Sequence, residues 1–220
     1  MSFCNLKTFP KIVPAVGVAT AVALLACLPV YAEKDFQSKS NDIKALEEKG
    51  KEYSNHRQWG KAQVVYGRIL QKLEKQWGTD DPRLIKPLND LVRVTCVDGK
   101  CADTVPYLNT LLKIRVKKFG PWNADVATTY ALIAEANEKM QRYPEAIKNF
   151  RQAIKIRDHL FGKTAGMSVR TRLNVIRVAL KNKDKTTARA MQLECQTLLS
   201  AQRNPEPELE KLLSYYARKI

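Results

Sequence analysis

A repeat constrains this chain more than any other feature. Three segments end in an aromatic residue followed by glycine, and those glycines, Gly78, Gly120 and Gly162, stand 42 residues apart. Other columns keep the same spacing: Tyr66, Leu108 and Phe150; Leu70, Leu112 and Ile154; and a small position at Ala62, Thr104, Ala146 and Ala188. Independent columns sharing one period mark a repeat array. Each unit of such an array buries its apolar face only against its neighbours.

Within a period the pattern is two helices. Ala146, Phe150, Ala153 and Ile154 fall on one helical face. The aromatic-glycine pair then closes the helix, because glycine adopts the left-handed conformation at low cost. Polar breaks at Asn55–Arg57, Val97–Lys100 and Gln141–Arg142 separate first from second helices. The pattern predicts first helices near 43–55, 82–96, 124–140 and 166–181, and second helices near 59–77, 101–119, 144–161 and 185–202. A last helix is expected at 206–219. Its acids Glu206, Glu208 and Glu210 come first and its bases Arg218 and Lys219 last, as the helix dipole favours, with Pro207 in the first turn. Its stripe of Leu209, Leu212, Leu213 and Tyr216 would cover the exposed end of the stack.

Gly50, Tyr53, Trp59, Ala62 and Tyr66 resemble the signature columns of a tetratricopeptide repeat. The cleanest match is Tyr143-Pro144-Glu145-Ala146 followed by Phe150 and Ala153. The 42-residue period with a long, aromatic-glycine-closed second helix is similar to the kinesin light chain variety. The likeness spans about 43–203. It departs at Val92 and Thr95, which replace Gly50 and Tyr53, and at Gln192 in the aromatic column; the fourth repeat also lacks the closing pair. The resemblance implies an all-α, right-handed superhelical stack of helix hairpins, about four repeats and a C-terminal capping helix. It also implies that the concave face binds peptides or partner proteins.

Carrying over the first-helix columns gives a groove of Lys44, Glu47, Lys51, Lys86, Asn89, Arg93, Glu135, Arg170 and Arg177. Six of these nine are basic, which would favour an acidic partner through charge-assisted bonds. Asn89 would donate to a peptide backbone. The competing reading makes these residues the solvated faces of amphipathic helices. The family's two-carboxylate clamp is not reproduced at matching positions.

The N-terminus supplies an address. Lys7 and Lys11 are the only charges in residues 1–32, and Ile12 to Ala32 is almost wholly apolar or small. A basic start, an apolar centre, and Val30 and Ala32 before the charged residues describe a cleaved secretory signal. Leu24-Leu25-Ala26-Cys27 also resembles a lipobox, with Cys27 as the lipidated residue. An uncleaved membrane anchor is the third reading. All three place the rest of the chain across a membrane, either exported (periplasmic or secreted) or membrane-anchored. The expected organisation is therefore 1–32 signal, 33–42 linker, 43–203 repeat array and 204–220 capping helix.

Without the two signal lysines, 36 basic and 22 acidic residues remain, a net of +14. The excess is densest from Lys163 to Arg189, where Lys163, Arg170, Arg172, Arg177, Lys181, Lys183, Lys185 and Arg189 face one acid, Asp184. Such a patch suits anionic lipid or an acidic envelope polymer as an alternative partner. Nucleic acid is disfavoured, since no recognition helix, aromatic run or zinc-finger spacing accompanies the charge.

Catalytic chemistry has little material. His56 sits in a helix break and His159 near a helix end, where it would serve the dipole. Phosphate-loop, nucleophile-elbow and paired-histidine motifs are missing. Asp80–Asp81 before Pro82 reads as a helix start, and Glu47–Glu48 as a solvated face. Cys96 and Cys101 bracket a turn and would pair on an oxidising membrane face, or stand as two thiols; without a nearby histidine they make a poor zinc site. Cys195 falls on an apolar face. The expectation is a non-catalytic scaffold or adaptor with no cofactor and no metal.

Overall fold

The structure is a computed structural model and describes residues 41–220. The signal, the Cys27 lipidation site, the anchor and most of the linker lie outside those residues. The chain divides into two compact units, Met1–Ala45 and Leu46–Ile220, and the packing below concerns the second.

The described residues form helices and no strand. In chain order they are α1 (41–55), α2 (Trp59–Trp77), α3 (Ile85–Val97), α4 (Val105–Phe119), α5 (Ala124–Lys139), α6 (Tyr143–Phe161), α7 (Gly166–Lys181), α8 (Lys185–Ser200) and α9 (Pro207–Ala217). The second repeat differs from expectation, because short 3-10 helices at Pro82–Leu84 and Cys101–Thr104 precede its α-helices. Pro87 and Pro106 have no amide proton to give the carbonyls four residues back, so a continuous α-helix cannot start earlier. Asp81 caps the first of these turns, accepting from the Arg83 amide at 2.8 Å. The Arg83 side chain bonds the same carboxyl and holds its pKa down at about 2. At the C-terminal end, α9 stops at Ala217 with Arg218 as its cap, so the expected basic last turn falls just beyond the helix.

The helical segments after each break begin at 59, 101, 143 and 185, one period apart and as a 3-10 turn at 101, because one turn recurs in all four repeats. Its central residue has positive φ: Arg57 at 55°, Gly99 at 83°, Gln141 at 59° and Lys183 at 57°. The amide after it reaches back five residues, from Gln58 to Tyr53 (2.8 Å), Lys100 to Thr95 (3.0 Å), Arg142 to Asn137 (2.9 Å) and Asp184 to Ala179 (2.8 Å). This bond, with the shorter one inside it, satisfies the last carbonyls of each first helix. Three of the four positions do this without glycine.

Helix spacing within a hairpin is set by paired volumes. A Cβ on Gly50 would lie 2.9 Å from the Tyr66 ring, so only hydrogen fits there. Along the stack that column runs Gly50, Val92, Ala134, Ile176, while the facing column runs Tyr66, Leu108, Phe150, Gln192. Where the first column holds a larger residue the facing one holds a smaller residue than tyrosine, which accounts for Val92 and Gln192 in the repeat signature. Leu84, Leu88, Leu91, Leu108 and Leu111 fill the core of the second repeat. Phe150, Leu173 and Ile176 fill that of the later ones. Leu209, Leu213 and Tyr216 of α9 join the same core and close its end. Cys195 is fully buried there, and burial pushes its thiol pKa up to about 12.

An L-residue in the left-handed region costs about 1 kcal/mol that glycine avoids. Gln141→Gly and Lys183→Gly should therefore each raise stability by about that amount in urea titrations, less some unfolded-state entropy. Gly99→Ala should lower it.

Candidate functional site

The first helices share one face, and ion pairs cross between successive members of it. Lys86 of α3 bonds Glu47 of α1 at 2.5 Å and approaches Asp90 at 3.6 Å. Arg177 and Lys181 of α7 both bond Glu138 of α5, at 2.5 and 2.8 Å. Glu138 is only 4% exposed, so two cations converge on one sequestered carboxylate. Such charge-assisted bonds hold both partners in fixed geometry.

The expected groove residues thus prove to be largely engaged. Lys51 pairs with Glu48 at 2.9 Å, Arg93 approaches Asp90 at 3.5 Å, and Asn89 accepts from Arg115 at 3.3 Å. Arg170 is met by Glu206 and Glu208 of the tail, at 3.5 and 3.6 Å. Lys44 is exposed and lies in the other unit. Glu135 is exposed, yet the surrounding walls take water from its carboxyl and raise its pKa against the pull of Arg177.

Where α7 meets α9 the face opens into a cleft of about 460 Å³, lined by Arg177, Leu180, Lys181, Tyr215, Tyr216 and Lys219. Its floor and wall are apolar and aromatic, and its rim carries three cations. Glu138, bonded to two of them, balances one charge, so the cleft keeps a positive excess. The Lys219 ammonium lies over the Tyr215 ring at 4.3 Å.

The basic patch needs a correction. Arg172 does not belong to an exposed surface, because its side chain is 3% exposed. It bonds both oxygens of Asp158 on α6, at 2.9 and 2.6 Å, and Glu194 on α8 at 2.8 Å. Burial pulls its pKa down, but those two carboxylates more than offset the effect and hold it above the ordinary value. The signal was in the repeat register: position 172 continues Leu46, Leu88 and Tyr130, an apolar column in which a guanidinium needs buried partners. Lys163, Lys181, Lys183, Lys185 and Arg189 are exposed, and Lys185 bonds the Ile220 carbonyl at 2.9 Å.

Two further arginines bind repeat to repeat. Arg115 of α4 donates to the Thr129 hydroxyl of α5 at 2.7 Å, and Arg157 of α6 donates to Thr171 of α7 one period later. Burial lowers the pKa of both guanidinium groups. Leu73 and Leu199 occupy that column in the outer repeats.

Residues 83–159 match the tetratricopeptide repeat family model. This is a tetratricopeptide-repeat fold. Solved tetratricopeptide structures superpose over most of the chain at low identity. The nearly identical TPR-like repeats of a Podosopora anserina protein described as a kinesin light chain reach TM-score 0.67 at 14% identity, covering 80% of this chain and 86% of that one. BtubC (BKLC) from P. vanneervenii reaches 0.62 at 14% identity, covering 91% and 82%. MamA of Desulfovibrio magneticus RS-1 reaches 0.53 at 15% identity, covering 74% and 79%. Among curated proteins, none matches this sequence. The tetratricopeptide stack here is all-α and superhelical, with the right-handed sense of its relatives.

Among the described residues no cluster of three histidine, cysteine or carboxylate side chains is arranged to hold a metal ion. His159 packs against Trp122 in a tilted arrangement, ring centroids 4.5 Å apart, rather than serving only a helix end. Cys96 and Cys101 are joined as a disulfide across the turn between α3 and α4, with Cα atoms 4.1 Å apart.

Removing Arg172 would leave the largely buried Asp158 carboxylate without its partner and empty a buried site between three helices, so Arg172→Ala should cost about 3 kcal/mol in denaturant unfolding. Exposed Lys183→Ala should cost none. Intact-mass spectra of the oxidised protein should gain two hydrogens on reduction, and Cys96→Ser should abolish that gain.

Proposed function

We propose that this chain is a non-catalytic scaffold or adaptor, exported across a membrane, whose first-helix groove takes a protein or peptide partner of acidic character. The tetratricopeptide fold supports partner binding in general. The acidic preference rests on the cleft at the α7–α9 end, where Arg177, Lys181 and Lys219 stand above two tyrosines and one buried carboxylate. An acidic side chain or chain end there would meet surplus ammonium groups, and an apolar neighbour would pack on Tyr215 and Tyr216. Charge of this kind selects partners and speeds encounter more than it adds affinity.

Export rests on residues 1–32, read as a cleaved signal, a lipoprotein signal with Cys27 modified, or an anchor. A second reading draws on the exposed Lys163, Lys183, Lys185 and Arg189 of the fourth repeat: an envelope-associated protein that holds anionic lipid or polymer by charge. Salt dependence separates the two, since diffuse electrostatic attachment vanishes under screening while a packed peptide persists.

The test is binding of glutamate-rich peptides with aromatic or leucine neighbours, followed by fluorescence anisotropy. Lys181→Gln with Lys219→Gln changes exposed side chains only and should weaken binding about tenfold, or 1.4 kcal/mol. Unaltered affinity in that variant would sink the groove reading.

A further inference from the structure

The edge formed by the ends of the second helices breaks the repeat pattern in one place. In the first repeat this edge is closed. Arg83 lies over the Trp77 ring at 3.7 Å, and Lys113 bonds Asp80 at 2.9 Å. One period later the same four positions are Asp125, Phe119, Lys155 and Trp122. The guanidinium lid is gone, and the lysine lies 5.4 Å from an indole ring instead of bonding a carboxylate. His159 packs tilted against that indole, ring centroids 4.5 Å apart, which carries the ridge on to Leu160 and Phe161. In the third repeat the lid position is Met167.

The result is a row of exposed rings. Phe119, Trp122 and Phe161 are 40%, 45% and 50% exposed, with Leu160 beside them. Water gains nothing from rings placed where the preceding repeat has an ion pair, and contiguous apolar surface of this kind marks an interaction site. Lys117, Lys118, Lys155 and Lys163 surround it, all exposed, and the Lys118 ammonium lies 4.9 Å from the Phe119 ring. Asp125 is an exposed acid beside them, Lys117 also feels the Asp81 carboxylate, and Asp158 is consumed by Arg172.

We infer that this edge docks on the surface of an anionic bilayer, with Phe119, Trp122 and Phe161 in the headgroup layer and the four lysines on lipid phosphates. Aromatic rings favour that layer, and lysines extend along apolar surface to keep their charge at its polar boundary. Each lysine near an anionic leaflet adds about 1 kcal/mol of attraction. A protein partner fits less well, because lysine is depleted where proteins bury aromatic surface against each other. The apolar stretch Ile12–Ala32 delivers the chain to a membrane under each reading of it.

The test uses the full chain with Trp59→Phe and Trp77→Phe, leaving Trp122 as the sole tryptophan. Vesicles contain one part phosphatidylglycerol to three parts phosphatidylcholine, with brominated acyl chains, and phosphatidylcholine vesicles are the control. Trp122 emission should shift to the blue and be quenched on the anionic vesicles only. Lys118→Gln with Lys163→Gln, checked for helix content by circular dichroism, should shift the docked-to-undocked ratio roughly thirtyfold and remove the quenching. Unquenched Trp122 on vesicle-bound protein overturns the inference. So does a saturable Trp122 response to an acidic protein with none to lipid.

Discussion

Packing of paired side chains between the two helices of each hairpin is the constraint on which the rest of this structure depends. Tyr66 can occupy its place only because Gly50 has no Cβ, and the later repeats place other pairs, Val92 with Leu108 and Ala134 with Phe150, in the same two columns. Close-packed interiors tolerate such exchange when total volume is kept. With that spacing fixed, the recurrent left-handed turn aims each second helix back along the first, and the apolar faces are used up between neighbours. The first-helix face and the helix ends are among the surfaces that remain available for other molecules.

The basic excess is then divided among different tasks. Arg115, Arg157 and Arg172 are fasteners between repeats, each reaching a hydroxyl or carboxylate on the next element. Arg177 and Lys181 are shared between fastening α5 to α7 and lining a cleft. Lys118, Lys155 and Lys163 at the ends of the second helices frame exposed rings. A positive net charge therefore does not act as one field here. Its functional share is what remains after the internal pairs are subtracted.

Two surfaces result, and they suit different contacts. The cleft between α7 and α9 is concave, cationic and tyrosine-lined, a place for a chain segment. The ridge around Trp122 is formed from helix ends and links, and carries exposed rings with lysines beside them. A scaffold tethered near a membrane could use both at once, because one lies on the first helices and the other at the ends of the second.

Much of this was legible in the 42-residue register: the helix pairs, the closing glycines, the capping helix and the burial of Cys195. The register also held signals that are read only column by column, such as Arg172 among leucines and Trp122 where a neighbour has Asp80. Sequence periodicity by itself determined the hairpins and their stacking, because helix period and turn chemistry are local. Tertiary structure alone decided which cations are spent. Glu138 meets Arg177 and Lys181 across two helices, and Arg170 meets the tail, through distances that no local pattern encodes. Charge is a property of composition, but its availability depends on which opposite charge the fold brings within reach.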